Sequence, residues 1–318
     1  MAPPSVLYAM PYGPPVYDLV AAECPRELRV EFLADHSDAA LLDRLADVEF
    51  VIGGRLSAAH FAVARRLRLV QCAGVGFDGV DLEAARARGI PVATTPEGTV
   101  EGVAEHVLLL ILAVNKQLLV ADRGLREGRW LVWQLRPSSH MLMGQTLGLV
   151  GLGRIGREVA RRARAFGVRM VYFDPVRLAP GEEAELGVEL MPLDRLLAAA
   201  DVVSLHTPLT AETRGLIGAR ELGQMKPDAI LINTSRGGVV DEQALVAALA
   251  TGRLRGAGLD VFAEEPLDPG SPLLGLDNVV LTPHIATATR QAMIIKARAQ
   301  FANVLRVLRG EPPLNRIA

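Results

Sequence analysis

Cysteine and lysine are scarce in this sequence, and neither sign of charge dominates it. Only two cysteines occur in 318 residues, Cys24 and Cys72. Two thiols cannot build a disulfide scaffold or a cysteine-rich metal framework, so no metal is expected and a reducing, cytoplasmic setting is. Lys and Arg total 34 against 36 Asp and Glu, a net charge of −2. Without a basic excess, nucleic acid is not an expected partner. Only Lys116, Lys226 and Lys296 are lysines among the cations, a bias read as genome composition. The most apolar helical stretch, 107–114, is far short of the roughly 20 residues a membrane span needs. The N-terminus has neither the basic nor the apolar region of a signal peptide. A membrane partner is therefore not expected.

What is present describes a globular chain with a large core. Hydrophobic residues make up 50% and charged residues 22%, and mean hydropathy is +0.25. At roughly 100–200 residues per domain, the length suggests two domains. Short β-rich apolar runs fall at 5–10, 29–33, 49–53, 69–73 and 91–95. Helical stretches such as 39–46, 57–66 and 82–88 lie between them. The alternation resumes at 146–150, 169–173, 188–190, 202–206, 229–233, 256–261 and 279–281. Those runs are nearly continuous in apolar character, as strands buried on both faces should be. Alternation of this kind predicts parallel sheets with helices on both faces. Two long helices are expected, at 102–125 and 289–308. They stand where a chain would cross between two domains, and the second would return to the first block.

The segment QTLGLVGLGRIGREVARRARAFG holds Gly151, Gly153 and Gly156 in G-x-G-x-x-G spacing, between an apolar strand and an amphipathic helix. Gly151 allows the tight turn, Gly153 a close backbone approach to a pyrophosphate, and Gly156 close packing of helix on strand. The helix start would receive the anion. The next strand, RMVYFD, ends at Asp174. An acid there can accept bonds from both ribose hydroxyls and would repel a 2′-phosphate, which favours NAD over NADP.

Three later segments place polar residues where apolar strands end: INTSRGGVVDE, GLDVFAEEP and LTPHIATAT. They supply Arg236, Glu265 and His284. Ligands of open α/β sheets bind at such strand ends. A base, an acid to orient it and a cation for a carboxylate suit reversible hydride transfer at a 2-hydroxy acid.

With these segments, CAGVGFDGVDLEAA, GVAEHVLLLILA and LHTPLTAET complete a pattern running over essentially the whole chain. The sequence resembles the D-isomer-specific 2-hydroxyacid dehydrogenases. The resemblance implies two doubly wound parallel-sheet α/β domains. One is a flavodoxin-like substrate domain, 1–99 with 288–318; the other is a Rossmann coenzyme domain, 100–287. NAD and a small 2-keto or 2-hydroxy acid would lie in a cleft between them, and the protein would be a homodimer.

Residue by residue, the resemblance makes Arg236 the substrate-binding cation, His284 the acid/base and Glu265, before Pro266, its partner. It gives Gly74, Val75 and Gly76 to the substrate carboxylate. It also gives a substrate contact to Thr99, which stands where many members carry Asn. It assigns Arg154, Ile155, Asp174, Thr207, Thr234 and Asp260 to the cofactor, Asp260 to its carboxamide. His106 and His206 read as structural.

Glyoxylate or hydroxypyruvate is the favoured substrate. Two alternatives stay open. Phosphoglycerate dehydrogenases commonly carry an Arg where this chain has Cys72, yet Arg55 could replace that cation. NAD-binding corepressors share the fold and a similar Arg-Glu-His set.

Overall fold

In the computed structural model, which describes residues 3–318, the chain divides into two compact units. One comprises the residues up to Gly102 together with Thr287–Ala318; the other is Val103–Ala286. Each is built on a wholly parallel sheet.

The first unit contains β1 (Ser5–Tyr8), β2 (Arg29–Phe32), β3 (Phe50–Ile52), β4 (Leu69–Gln71) and β5 (Val92–Ala93), in the order β2-β1-β3-β4-β5. That is the flavodoxin-like order. Alternate residues feed opposite faces, because side chains alternate along a strand. Leu7, Val51, Val70 and Val92 enter one core, and Val6, Tyr8, Phe50, Ile52 and Leu69 the other. The last helix, Arg290–Leu308, closes the second core with Met293, Ala297, Phe301 and Val304, one stripe at helical spacing. Thr289 caps it, accepting from the Ala292 amide at 3.1 Å.

The second unit contains β6 (Thr146–Val150), β7 (Arg169–Phe173), β8 (Val188–Leu190), β9 (Val202–Leu205), β10 (Ile230–Asn233), β11 (Gly256–Leu259) and β12 (Val279–Leu281). Their order is β12-β11-β10-β9-β6-β7-β8. Strand order therefore reverses between β6 and β9, the crevice where doubly wound sheets bind dinucleotides. Leu147, Leu149, Tyr172 and Ile232 pack on one face; Val150, Val171, Val203 and Leu231 pack on the other. Gly148 on β6 is required by that packing. A Cβ there would lie 2.6 Å from Leu196 of the helix Leu193–Ala199.

The long helix expected at 102–125 is two helices. Thr99–Asn115 and Leu118–Arg126 meet at 61°, and Gln117 between them is left-handed at φ 50°. Tertiary partners absorb the broken turn. The Asn115 carbonyl accepts from the His140 amide at 2.8 Å. The buried Asn115 side chain accepts from Arg255 at 2.8 Å and donates to Gln145 at 3.2 Å. Among the described residues, no single helix is long and apolar enough to cross a membrane. Several elements also stop earlier than their apolar runs. β3 ends where Gly53 turns to φ 75°, and the helix expected at 57–66 is Ala58–Val63.

Candidate active site

The glycine loop follows β6 directly. Gly151 has φ +92°, and a Cβ there would fall 2.9 Å from the His206 carbonyl. At Gly156 a Cβ would lie 2.5 Å from the Gly151 carbonyl, so the helix Arg154–Ala163 can approach its strand only with glycine here. Gly153, the N-cap, differs: a Cβ there meets nothing within 4 Å. What Gly153 keeps clear is not protein. Asp174, at the end of β7, is half-buried and bound to this loop. Its carboxylate accepts from the Leu152 amide at 2.8 Å and the Val176 amide at 2.9 Å. Arg177, close in sequence, is held by Glu183 through two 3.1 Å bonds.

Two further threonines end β9 and β10. The hydroxyls of Thr207 and Thr234 are buried without a hydrogen-bond partner. Orphaned buried hydroxyls are costly unless something satisfies them. Together with the open face of Gly153, they fit a dinucleotide laid across the strand ends. Ile155 is partly buried against the core. His206 is pushed down to about 4 by burial and is neutral at physiological pH.

Arg236 sits in the turn after β10. The buried Asn233 side chain braces that turn, donating to the Arg236 carbonyl at 3.0 Å and accepting from the Ser235 amide and hydroxyl. The guanidinium donates to the Ser235 carbonyl at 2.7 Å. Gly237 comes next, and a Cβ there would overlap the Phe262 carbonyl. Only glycine lets this turn close onto the segment after β11, which carries Glu265.

Glu265 and His284 are paired. His284 Nδ1 lies 2.7 Å from Glu265 Oε2, and Glu265 Oε1 accepts from the Phe262 amide at 3.1 Å. The side chains are 51% and 35% exposed respectively, so the pair opens to solvent. The bond to Glu265 raises the His284 pKa above its ordinary value; burial opposes this, the Glu265 and Asp260 charges add to it, and Arg236 opposes. Burial pushes Glu265 up, but its bonds to His284 and Phe262 and the nearby cations outweigh that and hold it low. Nδ1 is occupied, which leaves Nε2 as the ring nitrogen able to exchange a proton with a ligand.

Asp260, which the resemblance gives to the cofactor's carboxamide, is bound within its own unit. Its side chain is only 1% exposed. Its carboxylate already accepts from Thr282 at 2.6 Å, the Ile285 amide at 2.8 Å and the Ala286 amide at 2.9 Å. In this structure Asp260 organises the turn that carries His284. His106 joins the same cluster, with Nε2 2.9 Å from the Thr282 hydroxyl. The sequence marks His106 only as a structural residue and does not single out Thr282. The available signal was the T-P-H triplet, whose threonine follows a strand just as Asp260 does.

In the first unit, Gly74, Val75 and Gly76 form a half-exposed loop after β4. None of their three amides donates within the described structure. Successive free amides make an anion-binding concavity. Thr99 is buried beside Gly74, and its hydroxyl donates to the Thr95 carbonyl at 2.9 Å.

Comparison with known proteins gives a consistent result. Residues 108–286 match the family model of the D-isomer specific 2-hydroxyacid dehydrogenase, NAD binding domain. A glyoxylate reductase of Korarchaeum cryptofilum is 44% identical over 287 residues, covering 89% of this chain and 86% of that protein. A D-3-phosphoglycerate dehydrogenase of Mycobacterium bovis is 47% identical over 237 residues, 74% of this chain but only 44% of that protein. The crystal structure of the TT0316 protein from Thermus thermophilus superposes with a TM-score of 0.87 at 41% identity. It covers 99% of this chain and 100% of that one.

Proposed function

Because the chain belongs to the D-isomer-specific 2-hydroxyacid dehydrogenase family and is an NAD-dependent enzyme, we propose that it reduces a small unphosphorylated 2-keto acid, glyoxylate or hydroxypyruvate. The observation that carries the chemistry is the 2.7 Å His284–Glu265 pair, open to solvent beside the Arg236 turn. NAD, when bound, supplies or accepts the hydride. Gly151, Gly153, Arg154, Ile155 and Gly156 hold its pyrophosphate side, and Asp174, Thr207 and Thr234 its remaining polar groups. Arg236 grips the keto acid with its planar fork, and the amides of Gly74, Val75 and Gly76 hold the carboxylate. Thr99 supports that loop. His284, protonated through Glu265, gives its Nε2 proton to the carbonyl oxygen during reduction. In the reverse direction neutral His284 takes the proton back.

The substrate choice rests on charge. Cys72, before the carboxylate loop, is buried and its thiol is pushed up to about 12, chiefly by burial. It offers no cation to a phosphate. The glyoxylate reductase relative spans most of its own length in the match. A second reading, phosphoglycerate dehydrogenase, is favoured by one feature: Arg55 is exposed, has no ion pair among the described residues and lies over Gly79. Steady-state NADH oxidation with glyoxylate, hydroxypyruvate, pyruvate and 3-phosphohydroxypyruvate separates the two. Glyoxylate or hydroxypyruvate should give the highest kcat/KM. A large preference for the phosphorylated acid, abolished by Arg55→Ala, would establish the second reading.

Cofactor preference is assigned to Asp174. The wild type should favour NADH over NADPH, and Asp174→Ala should narrow the ratio of the two kcat/KM values. Equal wild-type values for both cofactors would refute this role. We also propose a homodimer formed through the second unit, where Trp130 and Trp133 are 74% and 68% exposed in a stretch of sequence that also exposes Leu125, Met141 and Met143. An apolar patch of that kind marks an interface. Sedimentation should show a dimer, and aspartate at both tryptophans should dissociate it.

A further inference from the structure

Asp260 binds the turn 282–286 at four points. Its carboxylate takes the Thr282 hydroxyl and the amides of Ile285 and Ala286, and its own carbonyl accepts from the His284 amide at 2.9 Å. The turn needs holding. His284 has φ +54°, a left-handed conformation that non-glycine residues adopt only at a cost. Its amide also reaches the Thr282 carbonyl, at 3.0 Å.

Proton counting then fixes the direction of the remaining bond. A threonine hydroxyl has one hydrogen, and an ionised carboxylate has none. The 2.6 Å contact therefore uses the Thr282 hydrogen toward Asp260. The 2.9 Å contact between Thr282 and His106 must be donated by His106 Nε2–H. The same nitrogen lies 3.5 Å from Asp260 Oδ1. The helix Thr99–Asn115 thus reaches the acid/base residue through one chain of hydrogen bonds: His106 donates to Thr282, Thr282 donates to Asp260, and Asp260 accepts from the backbone amides around His284.

We infer that His106 is a positioning residue for the reaction: its Nε2–H, through Thr282 and Asp260, locks the left-handed turn that aims His284. The inference rests on the reading of His284 as the proton donor. His106 is buried, and its Nε2 faces Thr282 and Asp260. Its effect should therefore fall on kcat and spare ground-state binding.

The test uses His106→Phe, His106→Gln and Thr282→Val in the NADH-bound protein, with two readouts. The first is hydrogen exchange at the amides of Ile285 and Ala286, which needs no turnover. The second is kcat and KM for reduction of the best keto acid. His106→Phe and Thr282→Val should each speed exchange at those amides by roughly 10- to 100-fold, the size of one lost bond to a charged group. Each should lower kcat while KM and NADH affinity change about twofold or less. His106→Gln keeps an amide donor near the Nε2 position and should recover most of the loss. The His106→Phe/Thr282→Val double variant should be no worse than the poorer single one, since both cut the same chain.

Unchanged exchange and kcat in Thr282→Val would overturn the inference, and this near-isosteric variant is informative even where His106→Phe does not fold. So would a His106→Gln variant as impaired as His106→Phe, or a loss confined to thermal stability. If the wild type reduced no keto acid, the proposed reaction would fail, while the exchange measurement would still decide the link from His106 to the turn.

Discussion

Replacing His284 with alanine should lower kcat for keto-acid reduction by roughly 10²- to 10⁴-fold, the usual range for a positioned general acid. The expectation follows from what the ring does in this structure. Its Nδ1 is committed to Glu265 at 2.7 Å and its backbone is pinned by Asp260. Both leave Nε2 as the one titrating atom directed outward. Asp260, bonded to the same turn, is buried and accepts three hydrogen bonds from it. NADH affinity, measured by fluorescence titration, should stay within about twofold, since only the transition state uses the proton. A variant retaining a tenth or more of wild-type kcat would place the proton donor elsewhere.

Arg236→Lys should be the second most damaging change, and it acts on the substrate. Lysine keeps the charge but loses the planar fork. Arg236 is also oriented by its own turn: Nη1 donates to the Ser235 carbonyl while Asn233 holds the Arg236 carbonyl. A flexible ammonium has no equivalent of that brace. Loss of a charged, bidentate contact should lower kcat/KM by about 10- to 100-fold, mostly through KM for the keto acid. Equally weakened NADH binding in a direct titration would show structural damage to the turn instead.

Much of the architecture could be read from the chain because its strands are buried on both faces. β6, β7 and β9 are largely apolar runs followed within two residues by Gly151, Asp174 and Thr207. Their nearly continuous apolar character located them. The residues at Arg236, Glu265 and His284 were visible for a related reason: a polar group just after a buried strand interrupts an otherwise apolar run. Other features depend on contacts remote in sequence, which no local pattern records. The break at Gln117 is one, because Asn115 finds its partners at Arg255, Gln145 and His140. The helix Pro14–Ala22 is another, since it opens on two prolines and its burial depends on later strands. Asp260 shows the same limit. The resemblance gives it to the cofactor, but its bonds to the turn 282–286 join residues more than 20 positions apart. His106 looked like any histidine on a helix until Thr282 was placed beside it.

The most direct test of the account is the pH dependence of reduction in the wild type and in Glu265→Gln. Glu265 raises the His284 pKa by bonding and charge. Reduction needs the protonated ring, so activity should be full at low pH and fall as pH rises through a pKa above the ordinary histidine value of about 6.5. The same sign governs stability. While Glu265 stays ionised, the His284 contribution is complete below about 6.5 and is lost as pH rises through its folded-state value. Removing the anion should move the alkaline limb of kcat to lower pH. Oxidation of the hydroxy acid, which needs the neutral ring, should become active at lower pH in the same variant. Coincident alkaline limbs in the two proteins would contradict the claim that Glu265 holds His284 as the proton donor.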